Sequence, residues 1–358
     1  MAADPSHPAS STPPPPPPPP PHQIIVQPAP TMFGRHGKLL LAGVVLLGIL
    51  SISLYGRYQS YFTPPGQPQE KFYSLSREAT QKIAIITVDG TILNADGFIK
   101  HQIDRVDDDP DVVAVVLRID SPGGTVTAAN YLYHHLRELV EKRDMPVVVS
   151  MGGLCASGGY YLAMAVGDQP DTVFAEPTTW TGSIGVIIPH FDLSGALASL
   201  NVKDDSIVSG PLKEMGSPTH PMTDRERTVL QGLVDDSFQQ FKDIVVAGRP
   251  KFKNDAQALA EVTTGQVFSA NQALANGLVD KIGFVDDAID RAAGLAKISS
   301  SNVRCIKYQQ PPTLLGELTG NQATARGGAD LQALLDLTTP RAYYLWTWLP
   351  SVLTNSHQ

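Results

Sequence analysis

The reactive side chain that stands out is a serine among small residues. In Leu154-Cys155-Ala156-Ser157-Gly158-Gly159-Tyr160-Tyr161, Ser157 follows an apolar run, Pro146–Met151, and precedes an apolar segment that begins like a helix. The order strand, glycine turn at Gly152 and Gly153, helix start would set its hydroxyl among unpaired N–H groups at the positive end of a helix. Such groups suit the negative oxygen of a tetrahedral acyl intermediate. They suit equally a serine that only caps the helix. Cys155 stands two residues earlier, as a rival nucleophile or as a small buried filler. A serine nucleophile needs a base, most often histidine. His190 and His220 are the only histidines between Ser157 and the C-terminal tail, each beside a proline in a turn-like segment. The sequence singles out no acidic partner for either. A lysine can serve only when neutral, with desolvation bringing its pKa from about 10.4 towards about 7–8. Lys213, between Leu212 and Met215 in the loop Ser209–Pro218, is either such a lysine or an ordinary surface one.

Two glycine-bearing breaks each follow a buried apolar run: Gly123-Gly124 after Val112–Ile119, and Gly158-Gly159 after Pro146–Met151. Together they could aim backbone N–H groups at one point beside the serine, as a two-donor oxyanion hole. A phosphate cradle would need similar groups, but the chain has neither a GxxxxGK[ST] lysine nor a GxGxxG there. The serine is not in a Gly-x-Ser-x-Gly elbow either, because Cys155 holds the first position.

Positioning these groups requires strands and helices in alternation. Lys82–Val88 and Val112–Ile119 read as strands, the second almost continuously apolar, as parallel strands covered on both faces are. Asp107–Asp111 is an acidic loop, a calcium site or a solvated turn. Ala128–Val140 reads as a helix. Thr172–Ala175 reads as a strand, Thr181–Ile188 as a turn into another, and Ser206–Val208 as an extended piece. A long helix runs from Asp224 to about Ala247, with Thr223 and Glu226 as its capping box and Gly248 as its stop. Leu230, Leu233, Val234, Phe238, Phe241 and Ile244 form its apolar stripe. Ser269 and Gln272 box a shorter helix that ends at Gly277. This order predicts an α/β domain with right-handed crossovers, whose function collects where strands end.

The chain has 358 residues, 42% hydrophobic and 17% charged, enough for one large domain or two small ones. A net charge of -8 argues against a nucleic-acid surface, and two cysteines imply no disulfide framework. Residues 1–34, with the proline run Pro13–Pro21, predict a disordered, extended leader. Leu39–Tyr55 carries no charge and would reach about 26 Å as a helix, enough to cross a bilayer with interfacial help. Arg35 and Lys38 before it place the N-terminus in the cytosol and the remainder outside. Ser53–Arg57 lacks the small-x-small pattern of a cleavage site, so the segment reads as an uncleaved anchor. The expected division is therefore a cytosolic tail over 1–34, an anchor over 35–56, a tether over 57–80, a folded domain over 81–298 and an extension over 299–358. In that extension Leu331–Leu337 predicts a short helix. The aromatic run Tyr343–Pro350 suits either the headgroup layer or packing onto the body.

Five motifs in order resemble the signal peptide peptidase A family, also called protease IV, in its short single-domain form. They are Asp120–Gly124, Ala156–Tyr161, Thr181–Val186, Ser209-Gly210-x-x-Lys213 and Gly277-Leu278-Val279-Asp280-x-Ile282-Gly283. The resemblance covers roughly Lys82 to Ala296. It implies a crotonase/Clp-protease-like spiral of ββα units, preceded here by one transmembrane helix. It implies Ser157 as nucleophile, Lys213 as general base, Ser183 as the serine orienting that lysine, and the Gly124 and Gly158 N–H groups as oxyanion donors. It implies peptide substrates, above all cleaved signal peptides, a homo-oligomer that shares its sites between subunits, and no metal or cofactor. Two other classes compete: a catalytically silent membrane scaffold that binds peptides on the same fold, and a crotonase-like acyl-CoA enzyme. The outward-facing topology argues against the latter.

Overall fold

The computed structural model describes residues 35–62, 67–310 and 342–345. The proline run and the Leu331–Leu337 helix lie outside the described residues. The chain divides into two compact units, Met1–Pro64 and Pro65–Gln358. In the first, Arg35–Phe62 forms helix α1. Its stretch Gly37–Tyr58 is long and apolar enough to cross a membrane, and none of it is buried in protein.

In the second unit the strands are β1 (Gln69–Leu75), β2 (Lys82–Asp89), β3 (Val112–Ser121), β4 (Gly123–Thr125), β5 (Val147–Ala156), β6 (Val173–Ala175), β7 (Trp180–Gly182), β8 (Val267–Ser269), β9 (Lys281–Ile282), β10 (Arg304–Gln309) and β11 (Tyr343–Leu345). The helices are α2 (Phe98–Asp107), α3 (Val126–Arg143), α4 (Gly158–Ala163), α5 (Ser194–Ser199), α6 (Asp224–Gly248), α7 (Ala256–Val262), α8 (Ala270–Asn276) and α9 (Val285–Leu295). Among the described residues nine strands form one sheet in the order β1-β10-β2-β3-β5-β6-β9, with β7 beside β5 and β8 beside β7. The central pairs β2–β3, β3–β5 and β5–β6 are parallel, and the edge pair β1–β10 is antiparallel.

Both faces of the sheet are covered. Ile86, Val88, Leu117 and Ile119 point into one core with Leu132 of α3, Tyr161 of α4 and Phe241 of α6. Ile83, Ile85, Val116 and Val148 point into the other, against Ala288, Ile289 and Ala292 of α9. Alternate residues of each strand serve opposite cores, so these strands read as unbroken apolar runs.

The structure departs from the sequence expectations at several places. Gly152 and Gly153 do not turn the chain, because β5 runs through them to Ala156. Between the pairs Ile119–Met151 and Ser121–Cys155 the register slips, so β5 carries the extra residues as a bulge. The Asp120 carboxylate holds that bulge, accepting the Gly153 and Leu154 N–H groups at 3.3 and 3.1 Å. The stretch expected to be a tether contributes β1, whose partner β10 lies in the C-terminal part of the chain and is invisible to local reading. Val186–Ile188 forms no ladder strand; Ile187 instead bridges Tyr343. Ser206–Val208 also forms none, and Ile207 is fully exposed. Gly248 is the last residue of α6 rather than its stop, and a Cβ there would meet the Met164 sulfur at 2.7 Å. Leu233, placed on the buried stripe of α6 by periodicity, is half exposed. The acidic loop is pinned by bases: Lys82 bonds Asp109 at 2.8 Å, and Arg143 donates to the carbonyls of Val106, Asp107, Asp109 and Val112.

Candidate active site

Ser157 sits between the end of β5 and the start of α4 with φ 53° and ψ -113°. A non-glycine residue with this backbone is strained, and such strain persists only where the surroundings enforce it. Here the Ser157 N–H donates to the Gly182 carbonyl at 2.8 Å, and its carbonyl accepts the Tyr161 N–H at 2.9 Å. The side chain does not cap α4, which removes the bland role. Its Oγ is buried and has no hydrogen-bond partner among the described residues, and the residue is 1% exposed. A buried hydroxyl without a partner costs about 1–3 kcal/mol. The fold thus holds a costly, unengaged hydroxyl at a strained corner.

Ser183 lies beside it. Ala156 of β5 registers with Gly182 of β7, so the next residue of each parallel strand leaves the sheet side by side. Ser183 also has a positive φ, 52°, and its N–H donates to the Gln266 carbonyl at 2.7 Å. It is 6% exposed.

The second glycine break meets the first. Gly123 has φ 101°, and its N–H donates to the Ser121 hydroxyl at 3.1 Å. Its carbonyl accepts the Ile92 N–H at 2.8 Å, while the Thr125 N–H donates to the Ile92 carbonyl at 2.9 Å. Alternation along a strand then turns the Gly124 N–H to the opposite edge, where Tyr344 of β11 stands across from it. The approach is close: a Cβ built on Gly123 would lie 2.7 Å from the Gly158 nitrogen and 3.1 Å from the Ser157 Cβ. A Cβ on Gly158 would lie 3.1 Å from the Gly124 nitrogen. No side chain fits there, and the Gly158 N–H, first in α4, has no carbonyl one turn back to bind. The structure therefore brings Ser157, Ser183, Gly124 and Gly158 together.

Lys213 lies apart in its character. It is exposed, in a turn where its N–H donates to the Gly210 carbonyl at 3.1 Å. Within one chain its ammonium makes no bond to the partnerless Ser157 Oγ. Among the described residues no histidine bonds that oxygen either: the His220 ring lies 3.0 Å from the Pro221 carbonyl, and the His190 Nε2 is itself buried without a partner. Cys155 is fully buried, and burial, then the nearby Asp120 charge, push its thiol far above the range in which a thiolate forms. It is a core filler.

The Gly277–Asp280 motif is structural. Asp280 accepts the Thr172 and Val173 N–H groups, both at 2.9 Å, and pairs with the Arg249 guanidinium at 2.6 Å. Arg249 also donates to the Gly277 carbonyl at 2.9 Å, and the Tyr160 hydroxyl donates to the Leu278 carbonyl at 2.8 Å. Burial raises the Asp280 carboxyl, but Arg249 and the two N–H groups outweigh it and hold it below the usual range. This knot fixes α4 and β6 against the α6 terminus. Sequence reasoning missed three further groups: Asp120, which shapes the bulge, Ser121, which braces the glycine turn, and Ile92, which orients Gly124. The first two lie inside the Asp120–Gly124 motif; Ile92 carried no local signal.

Residues 140–299 match the model of peptidase family S49. A putative signal peptide peptidase SppA of Enterococcus faecium is 35% identical over 212 residues, 59% of this chain and 59% of that protein. A putative protease of Synechocystis sp. is 36% identical over 256 residues, 72% of this chain and 87% of that protein. Protease 4 of Salmonella typhi is 32% identical over 253 residues, 68% of this chain but 39% of the relative. The chain thus spans most of the cyanobacterial protein and less than two thirds of the other two.

Proposed function

The chain belongs to peptidase family S49, the family of signal peptide peptidase A, and on that premise we propose that it is a membrane-anchored serine endopeptidase that degrades remnant signal peptides. Ser157 is the nucleophile. Lys213 in its neutral form takes the hydroxyl proton, and Ser183 orients the lysine. The alkoxide attacks a peptide carbonyl, whose oxygen becomes negative between the Gly124 and Gly158 N–H groups. An ester forms, the leaving amine takes the proton, and water releases the acyl group. One observation carries this reading: a strained serine keeps its Oγ buried and unpartnered beside two converging backbone donors.

The lysine comes from a neighbouring copy. Among the described residues of one chain the Ser157 Oγ has no base, and Lys213 is exposed. The stretch of chain before Lys213 also leaves Phe191, Leu200 and Ile207 uncovered, as a surface awaiting a second subunit would. We assign the body the spiral of ββα units typical of crotonase and Clp-protease folds; its parallel central sheet supports this. We assign the proline-rich residues 1–34 to the cytosol, α1 to the membrane and the body to the outer side, where it meets peptides left in the bilayer. No metal or cofactor takes part in these steps. The test is labelling by a fluorophosphonate together with hydrolysis of a signal-peptide substrate, each abolished in Ser157→Ala. Failure of the intact chain to do either would favour the silent scaffold. Mixing Ser157→Ala with Lys213→Ala protomers should restore turnover; no recovery after demonstrated subunit exchange would place both groups in one chain.

A further inference from the structure

Ser121 stands where β3 gives way to the first glycine break. Ser121-Pro122-Gly123 forms a turn closed by a side chain: the Ser121 Oγ accepts the Gly123 N–H, two residues on, at 3.1 Å. A residue before proline is driven to extended backbone, which keeps Ser121 in β3. Proline then holds its own φ near about -65°. Gly123 follows with φ 101°, which a residue with a Cβ rarely adopts. Each residue type serves the turn, and the serine hydroxyl closes it.

Gly123 is tied at both of its peptide groups. Its N–H is held by Ser121, and its carbonyl accepts the Ile92 N–H at 2.8 Å. In a trans peptide the Gly124 N–H points opposite to the Gly123 carbonyl. These two bonds therefore decide the direction of the Gly124 N–H. Without the Ser121 oxygen only the Ile92 anchor remains on a residue whose backbone no Cβ restrains.

The hydroxyl also lies at the junction of the two glycine breaks. Ser121 is fully buried and stands in register with Cys155, two residues before Ser157. A Cβ on Gly159 would lie 3.1 Å from the Ser121 carbonyl oxygen and 3.5 Å from its Cβ. Ser150 offers a contrast on the neighbouring strand. It is equally buried, but its Oγ accepts the Arg118 guanidinium at 2.9 Å, a bond to a side chain rather than to the turn.

Resting on the peptidase reading above, we infer that Ser121 is a positioning residue of the reaction: by holding the Gly123 N–H, its hydroxyl sets the Gly124 donor for the oxyanion. It acts through Gly123. Its contribution is realised in the transition state, when charge appears on the substrate carbonyl oxygen, so its loss falls on kcat rather than on KM. A peptide aldehyde reports the same state. The Ser157 oxygen adds to the aldehyde carbon, the serine proton passes to the base, and the aldehyde oxygen takes the negative charge between the two donors. Its affinity should fall together with kcat.

The experiment uses full-length protein in detergent. It compares Ser121→Ala, Ser121→Cys and Ser150→Ala with wild type, reading kcat and KM on a signal-peptide substrate and the inhibition constant of a peptide aldehyde, with melting temperature as the check on folding. Ser121→Ala should lower kcat at least tenfold, keep KM within threefold and weaken the aldehyde at least tenfold. Ser121→Cys, whose sulfur accepts only weakly, should lose at least threefold in kcat and in aldehyde affinity. Ser150→Ala should stay within threefold of wild type in all three, although it too loses a buried bond. A folded Ser121→Ala with kcat within threefold of wild type, or with a fallen kcat and an unchanged aldehyde affinity, overturns the inference and leaves the peptidase reading intact. A loss in Ser150→Ala equal to that in Ser121→Ala does the same. Should Ser121→Ala not fold, a folded Ser121→Cys with wild-type kcat and aldehyde affinity overturns it equally. A wild-type chain that neither cuts the peptide nor binds the aldehyde overturns the peptidase reading and this inference with it.

Discussion

Adding a single methyl group to Gly124 should silence the enzyme, whereas the same group on Gly153 should not. A Cβ on Gly124 would stand 1.9 Å from the Ile92 carbonyl oxygen and 2.7 Å from its Cα. Ordinary contact begins near 3.4 Å, so one of the two backbones must move by about 1.5 Å, the difference between 3.4 and 1.9. That movement breaks the bridge to Ile92 that fixes the direction of the Gly124 N–H. Misplacing a reacting group by about 1 Å costs roughly 10²-fold, and losing one oxyanion donor costs about 10²–10³ in kcat, or about 2.7–4 kcal/mol. Gly124→Ala should therefore lower kcat by about two to three orders of magnitude with a smaller change in KM. At Gly153 the nearest atoms to a Cβ are the Asp120 carboxylate oxygens at 3.8 and 3.9 Å, so Gly153→Ala adds only ordinary contact. The assay is steady-state hydrolysis of a signal-peptide substrate by full-length protein in detergent, with thermal melting as the check on folding. Gly124→Ala within threefold of wild type would refute the donor geometry. A loss in Gly153→Ala equal to that in Gly124→Ala would refute the reasoning from close approach.

Asp280→Asn should destabilise the body by about 3–5 kcal/mol, because it leaves the Arg249 charge buried and uncompensated; a melting temperature within 2 °C of wild type would contradict this. The wild-type pair also sets an acid limit. The folded Asp280 carboxyl is held below its ordinary value of 3.8, so its stabilisation is present above that value and is lost as pH falls through the folded pKa. Asp280→Asn should flatten that limb of the melting-against-pH curve. Lys213→Arg should be as inactive as Lys213→Ala, since arginine keeps its proton; appreciable turnover by the arginine variant would remove the lysine from the mechanism. Alkylating reagents should leave the native enzyme active, because both thiols are buried and burial pushes Cys155 far up and Cys305 to about 12. Modification of Cys155 in the folded protein, followed by mass spectrometry, would contradict that placement.

The legible parts of the chain were those whose physics is local. The run Lys82–Val88 announced a strand and Val112–Ile119 a buried parallel one, and the Thr223–Glu226 and Ser269–Gln272 boxes marked the starts of α6 and α8 as they occur. Gly277 ends α8 with the positive φ, 72°, that glycine there implied. Ser157, Ser183, Gly124 and Gly158 were named from their motifs and meet in space. What stayed hidden depends on distant partners. Gly152-Gly153 has the composition of a turn, yet the Asp120 carboxylate, on another strand, makes it a bulge. Val186–Ile188 has the composition of a strand, but the ladder it would need is a single bridge to Tyr343. The aromatic run near the C-terminus suited a membrane surface or a protein core equally by composition. Its described residues join the core because Tyr344 finds Tyr161 and Phe241.

The placement of β10 governs how the body is made. It lies between β1 and β2, bonded antiparallel to one and parallel to the other, although about 230 residues separate Leu75 from Arg304. As the chain leaves the ribosome, β1 has nothing to pair with and the flank of β2 stays open until almost the whole body has been synthesised. Closures this remote in sequence are slow, and an unpaired flank invites pairing between molecules. Translation arrested before Arg304 should therefore leave a polypeptide prone to aggregate, and the last six residues of the sheet act as the latch that ends its exposure.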